Sequence, residues 1–152
     1  MIEGVRTKKL SFIPDDRGRL IEILRCDEEV FEGFGQVYIT TTYPGIVKAW
    51  HYHKLQKDNF VCLKGMVRLV LADMRENSKT KGEINEFYIG EYNPLFVQIP
   101  EGVYHGWRCI GTEEAIVLNV PTKPYNHKEP DEYRLPAHNN GIIDFDWSIK
   151  DR

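Results

Sequence analysis

Short β-forming runs, each closed by a glycine or proline turn, limit what this chain can fold into more than any other feature of the sequence. Runs such as QVYITTT, MVRLVLA and LFVQI are rich in β-branched and aromatic residues, and they recur at intervals of about 8–12 residues. About nine to eleven such strands are typical of an all-β sandwich or barrel. We expect residues 1–152 to form one all-β domain, a jelly roll whose antiparallel strands close around a ligand cavity.

Local patterns complete the expected path of the chain. NFVCLK and MVRLVLA flank Lys64 and Gly65, which predicts an antiparallel pair with its turn at those two residues. The acidic run CDEEVFEGFG over residues 26–35 is the best helix candidate, and residues 141–152 could hold one short turn or helix. Prolines and charges accumulate from about residue 121, which predicts an extended tail over the surface.

Composition narrows the class of partner and the compartment. The net charge of −3 comes without a basic stripe, so we expect no nucleic-acid partner. The sequence contains no signal-peptide run and no apolar segment of membrane-spanning length. Its three cysteines form no Cys-x-x-Cys pair, which favours a reducing compartment. We therefore expect a cytoplasmic protein that does not contact a membrane.

Three histidines and one acid indicate a site. His51 and His53 are two residues apart in a strand-like run, so both side chains point to one face and Tyr52 points to the other. His105 follows a Pro-x-Gly turn in a second strand-like run, and Asp58 lies close after the first two histidines. Three histidines and an acid from two strand–turn units are unusual for solvent-exposed surface residues.

The spacing of these residues resembles the cupin superfamily. Gly45-x5-His51-x-His53-x4-Asp58-x6-Gly65 is similar to the first cupin motif, with an aspartate for the usual glutamate. Pro100-x-Gly102-x2-His105 is similar to the second motif. In many cupins these positions bind a divalent metal, and imidazoles with one carboxylate suit iron, zinc, nickel or manganese. One hypothesis is therefore a metal-dependent enzyme whose ligands are His51, His53, Asp58 and His105.

A narrower resemblance is to the dTDP-4-dehydrorhamnose 3,5-epimerase family. The matching segments lie in order along residues 15–125 and include residues that general cupins do not share. They are Asp15-x-Arg17-Gly18-x3-Glu22, the run KAWHY from Lys48, Asp73-Met74-Arg75 with Ser78 and Gly82, the run IPEGVYHGW over residues 99–107, and Tyr125. This resemblance implies a metal-free homodimer without a cofactor, whose N-terminal strand joins the partner's sheet.

The resemblance also implies roles for individual residues. His51 would be the general base that removes a proton α to a ketone, and imidazole suits this task near neutral pH. Lys48 and His105 would stabilise the resulting enolate. The implied substrate is a dTDP-4-keto-6-deoxyhexose for polysaccharide synthesis. Its binding residues would be Arg17 and Arg75 at the diphosphate, Glu22 and Gln36 at the nucleoside or beside the cations, and Tyr125 near the substrate.

Three positions depart from the family pattern. The family tyrosine that acts as acid falls near Asn119, the family aspartate that pairs with the histidine falls near residues 138–140, and a family lysine aligns with Asp58. Replacement acids are Tyr38, Tyr52 or Tyr104. A nucleotide-sugar epimerase or isomerase is the favoured function. The metal-dependent enzyme and a catalytically inactive homologue that binds sugar nucleotides stay open as alternatives.

Overall fold

The computed structural model describes residues 1–149 and contains twelve β-strands there, all paired antiparallel. They are β1 (Arg6–Lys9), β2 (Phe12–Asp15), β3 (Gly18–Ile21), β4 (Tyr38–Thr42), β5 (Val47–Tyr52), β6 (Asp58–Lys64), β7 (Met66–Ala72), β8 (Ile84–Gly90), β9 (Leu95–Ile99), β10 (Tyr104–Cys109), β11 (Ala115–Asn119) and β12 (Tyr133–Arg134). One sheet has the order β1-β9-β6-β11-β4 and the other β12-β5-β10-β7-β8. The all-β jelly roll expected from the strand spacing is confirmed.

The core lies between these two sheets and is built from alternate residues. Val67, Leu69 and Leu71 of β7 are fully buried and share one cluster with Val97 and Ile99 of β9. Intervening residues of β7, such as Val70 and Ala72, point the other way into a second cluster. Both faces of β7 are therefore covered, which explains why the strand is continuously apolar.

The second cluster is covered by the C-terminal tail. Trp147 is 1% exposed, and its ring lies 4.9 Å from those of Trp50 and Phe145 between ring centroids. β12 extends the second sheet by pairing with β5. The expected tail is thus extended, but it is a packed part of the domain rather than a surface cover.

The turn prediction at Lys64 and Gly65 is wrong, because β6 and β7 belong to different sheets. β6 pairs with β9 and β11, whereas β7 pairs with β8 and β10. Gly65 has a φ of 70°, a left-handed conformation that glycine adopts without strain, and its N–H donates to the Glu91 carboxylate at 2.9 Å. The chain therefore crosses between the sheets at this point.

The predicted helix over residues 26–35 is also absent. The segment contains short turns, and within residues 1–149 no helix is present that could span a membrane. The Glu28 carboxylate accepts hydrogen bonds from the Lys8 ammonium and the Arg25 N–H, and Gly33 has a φ of 118°. These long-range and turn interactions take the place of the backbone hydrogen bonds that a helix would form. Residues 141–149 contain bends at 141, 142 and 148 and no helix, and the rest of the second helix candidate lies outside the described residues.

β2 and β3 form a hairpin that belongs to neither main sheet. Ile13 and Leu20 are direct cross-strand partners, so their side chains share a face. These side chains are 58% and 56% exposed, respectively. The hairpin thus presents an apolar face to solvent.

Candidate active site

The site is built where β5 and β10 lie side by side. His51 and His105 are direct partners in the register, and their ring centroids are 4.0 Å apart. The register shifts between His105 and Trp107, and a Cβ on Gly106 would lie 2.3 Å from the Ala49 Cβ. Glycine at this position therefore allows the two strands to approach closely and brings the imidazoles together.

Strand alternation places the second histidine as the sequence predicts. The rings of His51, in β5, and of His53, directly after it, are 5.5 Å apart between centroids. Tyr52 points away from them and packs against Tyr104 at 4.5 Å and Tyr133 at 5.0 Å. The His-x-His pattern thus delivers two imidazoles to one face.

A buried carboxylate, Asp58 at the start of β6, joins the histidines. Its Oδ2 atom lies 3.1 Å from His105 Nε2 and 3.4 Å from His53 Nε2, and its Oδ1 accepts from Gln56 Nε2 at 2.9 Å. Burial alone raises the pKa of Asp58, but the hydrogen bond from His105 and the close contact with His53 outweigh burial and hold the pKa well below its usual range. Asp58 is therefore an anion in the site.

His105 is held between two acceptors. Its Nδ1 lies 3.1 Å from the Val103 carbonyl oxygen, which can only accept, so this nitrogen carries a proton. Its Nε2 faces the Asp58 carboxylate, which also accepts. Both hydrogen bonds are made together only when the ring carries two protons.

His51 is held neutral by its surroundings. Burial lowers its pKa most, the neighbouring His105 lowers it further, and the attraction of Asp58 offsets only part of this, so the pKa is well below the ordinary value of 6.5. Within residues 1–149 the ring makes no hydrogen bond. A neutral imidazole with a free nitrogen can accept a proton at neutral pH.

The cavity beside His51 has a volume of about 710 Å³. Its lining comes from both sheets and from the tail, and consists of Tyr38, Thr40, Val47, Lys48, Ala49, Trp50, His51, Trp107, Glu132, Arg134, Leu135 and Pro136. The Lys48 ammonium donates to Thr40 Oγ1 at 2.9 Å and to the Thr41 carbonyl oxygen at 2.6 Å. An ammonium has three donors, so one N–H of Lys48 stays available to a ligand.

The structure brings together part of the predicted site. His51 and Lys48 line one cavity, and His105 lies directly beside His51. Arg17 and Arg75 do not line the cavity within the described chain. The guanidinium of Arg17 is exposed on the β2–β3 hairpin and pairs with Asp15, while that of Arg75 donates to Asp73 and to the Glu3 carbonyl oxygen.

The remaining predicted binding residues also lie outside this cavity. Glu22 is exposed and accepts from Arg25 at 3.0 Å. Gln36 and Tyr125 are brought together, because the Tyr125 N–H donates to Gln36 Oε1 at 3.2 Å. Tyr125 lines a separate pocket of about 460 Å³.

Two cavity residues come from the tail and were missed by reasoning from the sequence. Arg134 pairs with His51 in the register of β12 and β5, and it forms an ion pair with Glu132 at 2.6 Å. Both side chains line the cavity. A two-residue strand in a proline-rich tail has no periodic signal, so their position was not visible in the sequence. Alternation along YITTT could have placed Tyr38 and Thr40 on one face.

The four residues of the cupin-like motif fit a divalent metal. The donor atoms of His51, His53, Asp58 and His105 all lie within 4.8 Å of one another. His53 Nδ1 hydrogen-bonds the Asp131 carbonyl oxygen, and its buried Nε2 lies 3.4 Å from Asp58 Oδ2, a contact without hydrogen-bond geometry. Burial lowers the pKa of His53, but Asp58 and Asp131 outweigh it and raise the pKa overall. Three imidazoles and a carboxylate are a donor set suited to zinc or iron.

Comparison with known proteins identifies the family of the chain. A family model of the polysaccharide biosynthesis C-terminal domain matches residues 13–133. The spore coat polysaccharide biosynthesis protein SpsL of Bacillus subtilis (strain 168) is 43% identical over 152 residues, which is 100% of both chains. The probable low-salt glycan biosynthesis epimerase Agl13 of Haloferax volcanii is 40% identical over 151 residues, covering 98% of this chain and 96% of the relative.

A solved structure gives the same assignment. The dTDP sugar isomerase of Desulfovibrio desulfuricans G20 superposes with a TM-score of 0.92 at 31% identity, covering 99% of this chain and 94% of that one. Because the family model and full-length relatives agree, the chain belongs to the polysaccharide biosynthesis C-terminal domain family and is a short, divergent sugar epimerase, an isomerase of the dTDP-4-dehydrorhamnose 3,5-epimerase type.

Proposed function

We propose that the enzyme epimerises a dTDP-4-keto-6-deoxyhexose by proton abstraction α to the ketone, with His51 as the base. The observation that carries this proposal is the neutral, unbonded ring of His51 on a cavity of about 710 Å³. A sugar ring fits a cavity of this size. The solved relative named a dTDP sugar isomerase supports the nucleotide, and the glycan biosynthesis relative supports a role in polysaccharide synthesis.

The chemistry requires a base and a stabiliser for the enolate. His51 takes the α proton, and the negative charge that develops passes to the ketone oxygen. Lys48, with one free N–H, supplies positive charge at the cavity, and His105, which carries a proton on Nδ1, lies directly beside His51. Cationic donors fixed in place before the reaction stabilise such a developing oxyanion. Arg134 adds a cation at the tail side, where a diphosphate can pair with it.

Deuterium exchange tests the proposed function. The enzyme is expected to incorporate solvent deuterium at a carbon next to the ketone of dTDP-4-keto-6-deoxyglucose, as followed by NMR. His51→Asn is expected to slow this exchange by about 10²–10⁴-fold, the usual contribution of a general base. His138→Asn, at an exposed tail position, is the matched control and should exchange at the wild-type rate.

Two results would contradict this proposal. If His51→Asn exchanged at the wild-type rate, His51 would not be the base. If the wild-type enzyme exchanged no deuterium into any dTDP-4-keto sugar, the proposed substrate class would be wrong. The alternative of an inactive binding homologue rests on Asn119 and on the missing family aspartate near residues 138–140, and the similarity to a probable glycan biosynthesis epimerase stands against it.

A metal-dependent enzyme, in which His51 is a ligand and not the base, is the second candidate, and the four donor atoms that lie within 4.8 Å of one another favour it. The ion would be held by His51, His53, Asp58 and His105 and would polarise the ketone as a Lewis acid. Elemental analysis of purified protein decides between the candidates. Stoichiometric metal that is lost in His53→Ala supports the metal form, whereas full activity in metal-free protein contradicts it.

The proposal includes a homodimer formed through the β2–β3 hairpin. The exposed apolar side chains of Ile13 and Leu20 would be buried by a second copy of the chain. The family resemblance also implies an N-terminal strand shared with a partner. The exposed Arg17 on the same hairpin would then be free to reach the partner's cavity. Light scattering is expected to give a dimer for wild type and a monomer for the double variant Ile13→Asp, Leu20→Asp. A wild-type monomer at micromolar concentration would contradict this.

A further inference from the structure

One face of β4 is turned towards the active-site cavity. Thr40 and Thr42 on this face accept hydrogen bonds from the Lys48 ammonium at 2.9 Å and from Trp107 Nε1 at 2.8 Å, respectively. Tyr38 lies two residues before Thr40 and also lines the cavity. Ile39, between Tyr38 and Thr40, lies on the opposite face and is 60% exposed. The alternation of the strand therefore directs the Tyr38 phenol into the site.

The Tyr38 hydroxyl is oriented by Asn119, the residue at the family's acid position. The backbone N–H of Asn59 donates to Asn119 Oδ1 at 2.9 Å, which fixes which end of the amide is oxygen. Asn119 Nδ2 then lies 2.9 Å from the Tyr38 oxygen. An amide NH₂ only donates, so the phenol oxygen accepts this bond and its own proton remains free. Among residues 1–149, no other hydrogen bond engages that hydroxyl.

The other candidate tyrosines point elsewhere. Tyr52 and Tyr104 pack against each other on the far side of β5 and β10, and neither lines the cavity. Within the described chain Tyr38 is the one tyrosine that shares the cavity with His51. Burial and the charge of Asp58 raise the pKa of Tyr38 to about 12, so the hydroxyl stays protonated at neutral pH.

Tyr38 and His51 enter the cavity from different sheets, since β4 belongs to the first sheet and β5 to the second. Inversion at a carbon requires a proton to leave from one side and return from the other. We propose that Tyr38 donates this second proton and is a catalytic residue of the epimerisation, with Asn119 as its positioning residue. This inference rests on the proposed function.

The proton balance of the step is complete. His51 takes the α proton and the C–H electron pair forms the enolate. The enolate carbon then takes the Tyr38 hydroxyl proton on its opposite face, which leaves a phenolate. His51 releases its proton to water and the phenolate takes one from water, so the enzyme returns to its starting state. No oxidant or reductant is required.

The test separates proton removal from inversion. Tyr38→Phe is expected to lower the rate of inversion of dTDP-4-keto-6-deoxyglucose by about 10²–10⁴-fold, because a general acid is lost. Deuterium exchange with retained configuration should continue, since His51 still removes and returns a proton on its own side. NMR in deuterated water follows both rates. Tyr52→Phe, on the same strand as His51 with its ring on the other face, should match wild type in both rates.

Asn119→Ala is expected to slow inversion less than Tyr38→Phe does while leaving the KM within about twofold, because it frees the phenol without removing it. Thermal unfolding of each variant confirms that the fold is kept.

The outcomes separate the two proposals. Wild-type inversion in a folded Tyr38→Phe variant would overturn the role of Tyr38 while the proposed function stands. Loss of exchange together with inversion would assign Tyr38 to the first proton transfer and would overturn its role as donor. A wild-type enzyme that neither exchanges nor inverts the sugar would overturn both.

Discussion

Asp58 orders the charges around the active-site histidines. Its Oδ2 atom faces His105 and His53, and its Oδ1 is held by Gln56. The carboxylate is 2% exposed, so its charge is poorly screened by water. It raises the pKa of His53, whereas the neighbouring His51 is left neutral by burial. One buried anion thus gives chemically identical side chains different electrostatic environments.

The pH dependence of the reaction follows from the lowered pKa of His51. A base whose pKa lies well below 6.5 stays neutral as the pH falls past that value. We expect kcat/KM, measured between pH 8 and pH 5, to stay level through pH 6.5 and to fall only at more acidic pH. An acid limb with its midpoint at or above pH 6.5 would show that another group acts as the base.

The same shift predicts how stability changes with pH. The folded pKa of His51 is below its unfolded value near 6.5, so below that pH the unfolded chain binds more protons. Its contribution therefore destabilises the fold as the pH falls. Asp58 acts in the same direction at lower pH, because its folded pKa is also below the unfolded one.

The two-residue strand β12 contributes a charged side chain to the active-site cavity. It pairs Arg134 beside His51 and carries it into the cavity wall. Arg134→Ala is expected to raise the KM for a dTDP-sugar by about tenfold, the equivalent of one charge-assisted hydrogen bond, with little change in kcat. Steady-state kinetics on Arg134→Ala and on the exposed tail variant Lys128→Ala check this. An unchanged KM would show that Arg134 does not bind the substrate.

Local periodicity predicted most strands and the shared face of His51 and His53. It did not predict which sheet each strand joins, because the Lys64–Gly65 turn looks the same in a hairpin and in a crossing between sheets. The acidic run over residues 26–35 looked helical because its sequence does not show that Lys8 engages Glu28 from a distance. Arg134 was missed for the same reason: long-range pairing places it.

At the scale of the whole molecule, the C-terminal tail both covers part of the core and lines the active-site cavity. Trp147 is buried against Trp50, directly behind the strand that carries His51. Trp147→Ala is expected to lower the free energy of unfolding by about 3–5 kcal/mol, the usual cost of removing a buried large aromatic side chain. Denaturant unfolding measures this, and Tyr92→Ala, at an 89% exposed position, should change stability by under about 0.5 kcal/mol. A small loss for Trp147→Ala would show that the tail packs loosely.

The crossing of the chain at Gly65 has a consequence for how activity arises during folding. Asp58 and His105 are 47 residues apart in the chain, and Tyr38 and Asn119 are 81 apart. Chains dominated by such distant pairs fold slowly, because long loops must close before their contacts form. The catalytic groups therefore meet only when the barrel is complete. Refolding enzyme should regain turnover in step with its slowest tryptophan fluorescence phase, and fragments split at the crossing should be inert until they reassociate.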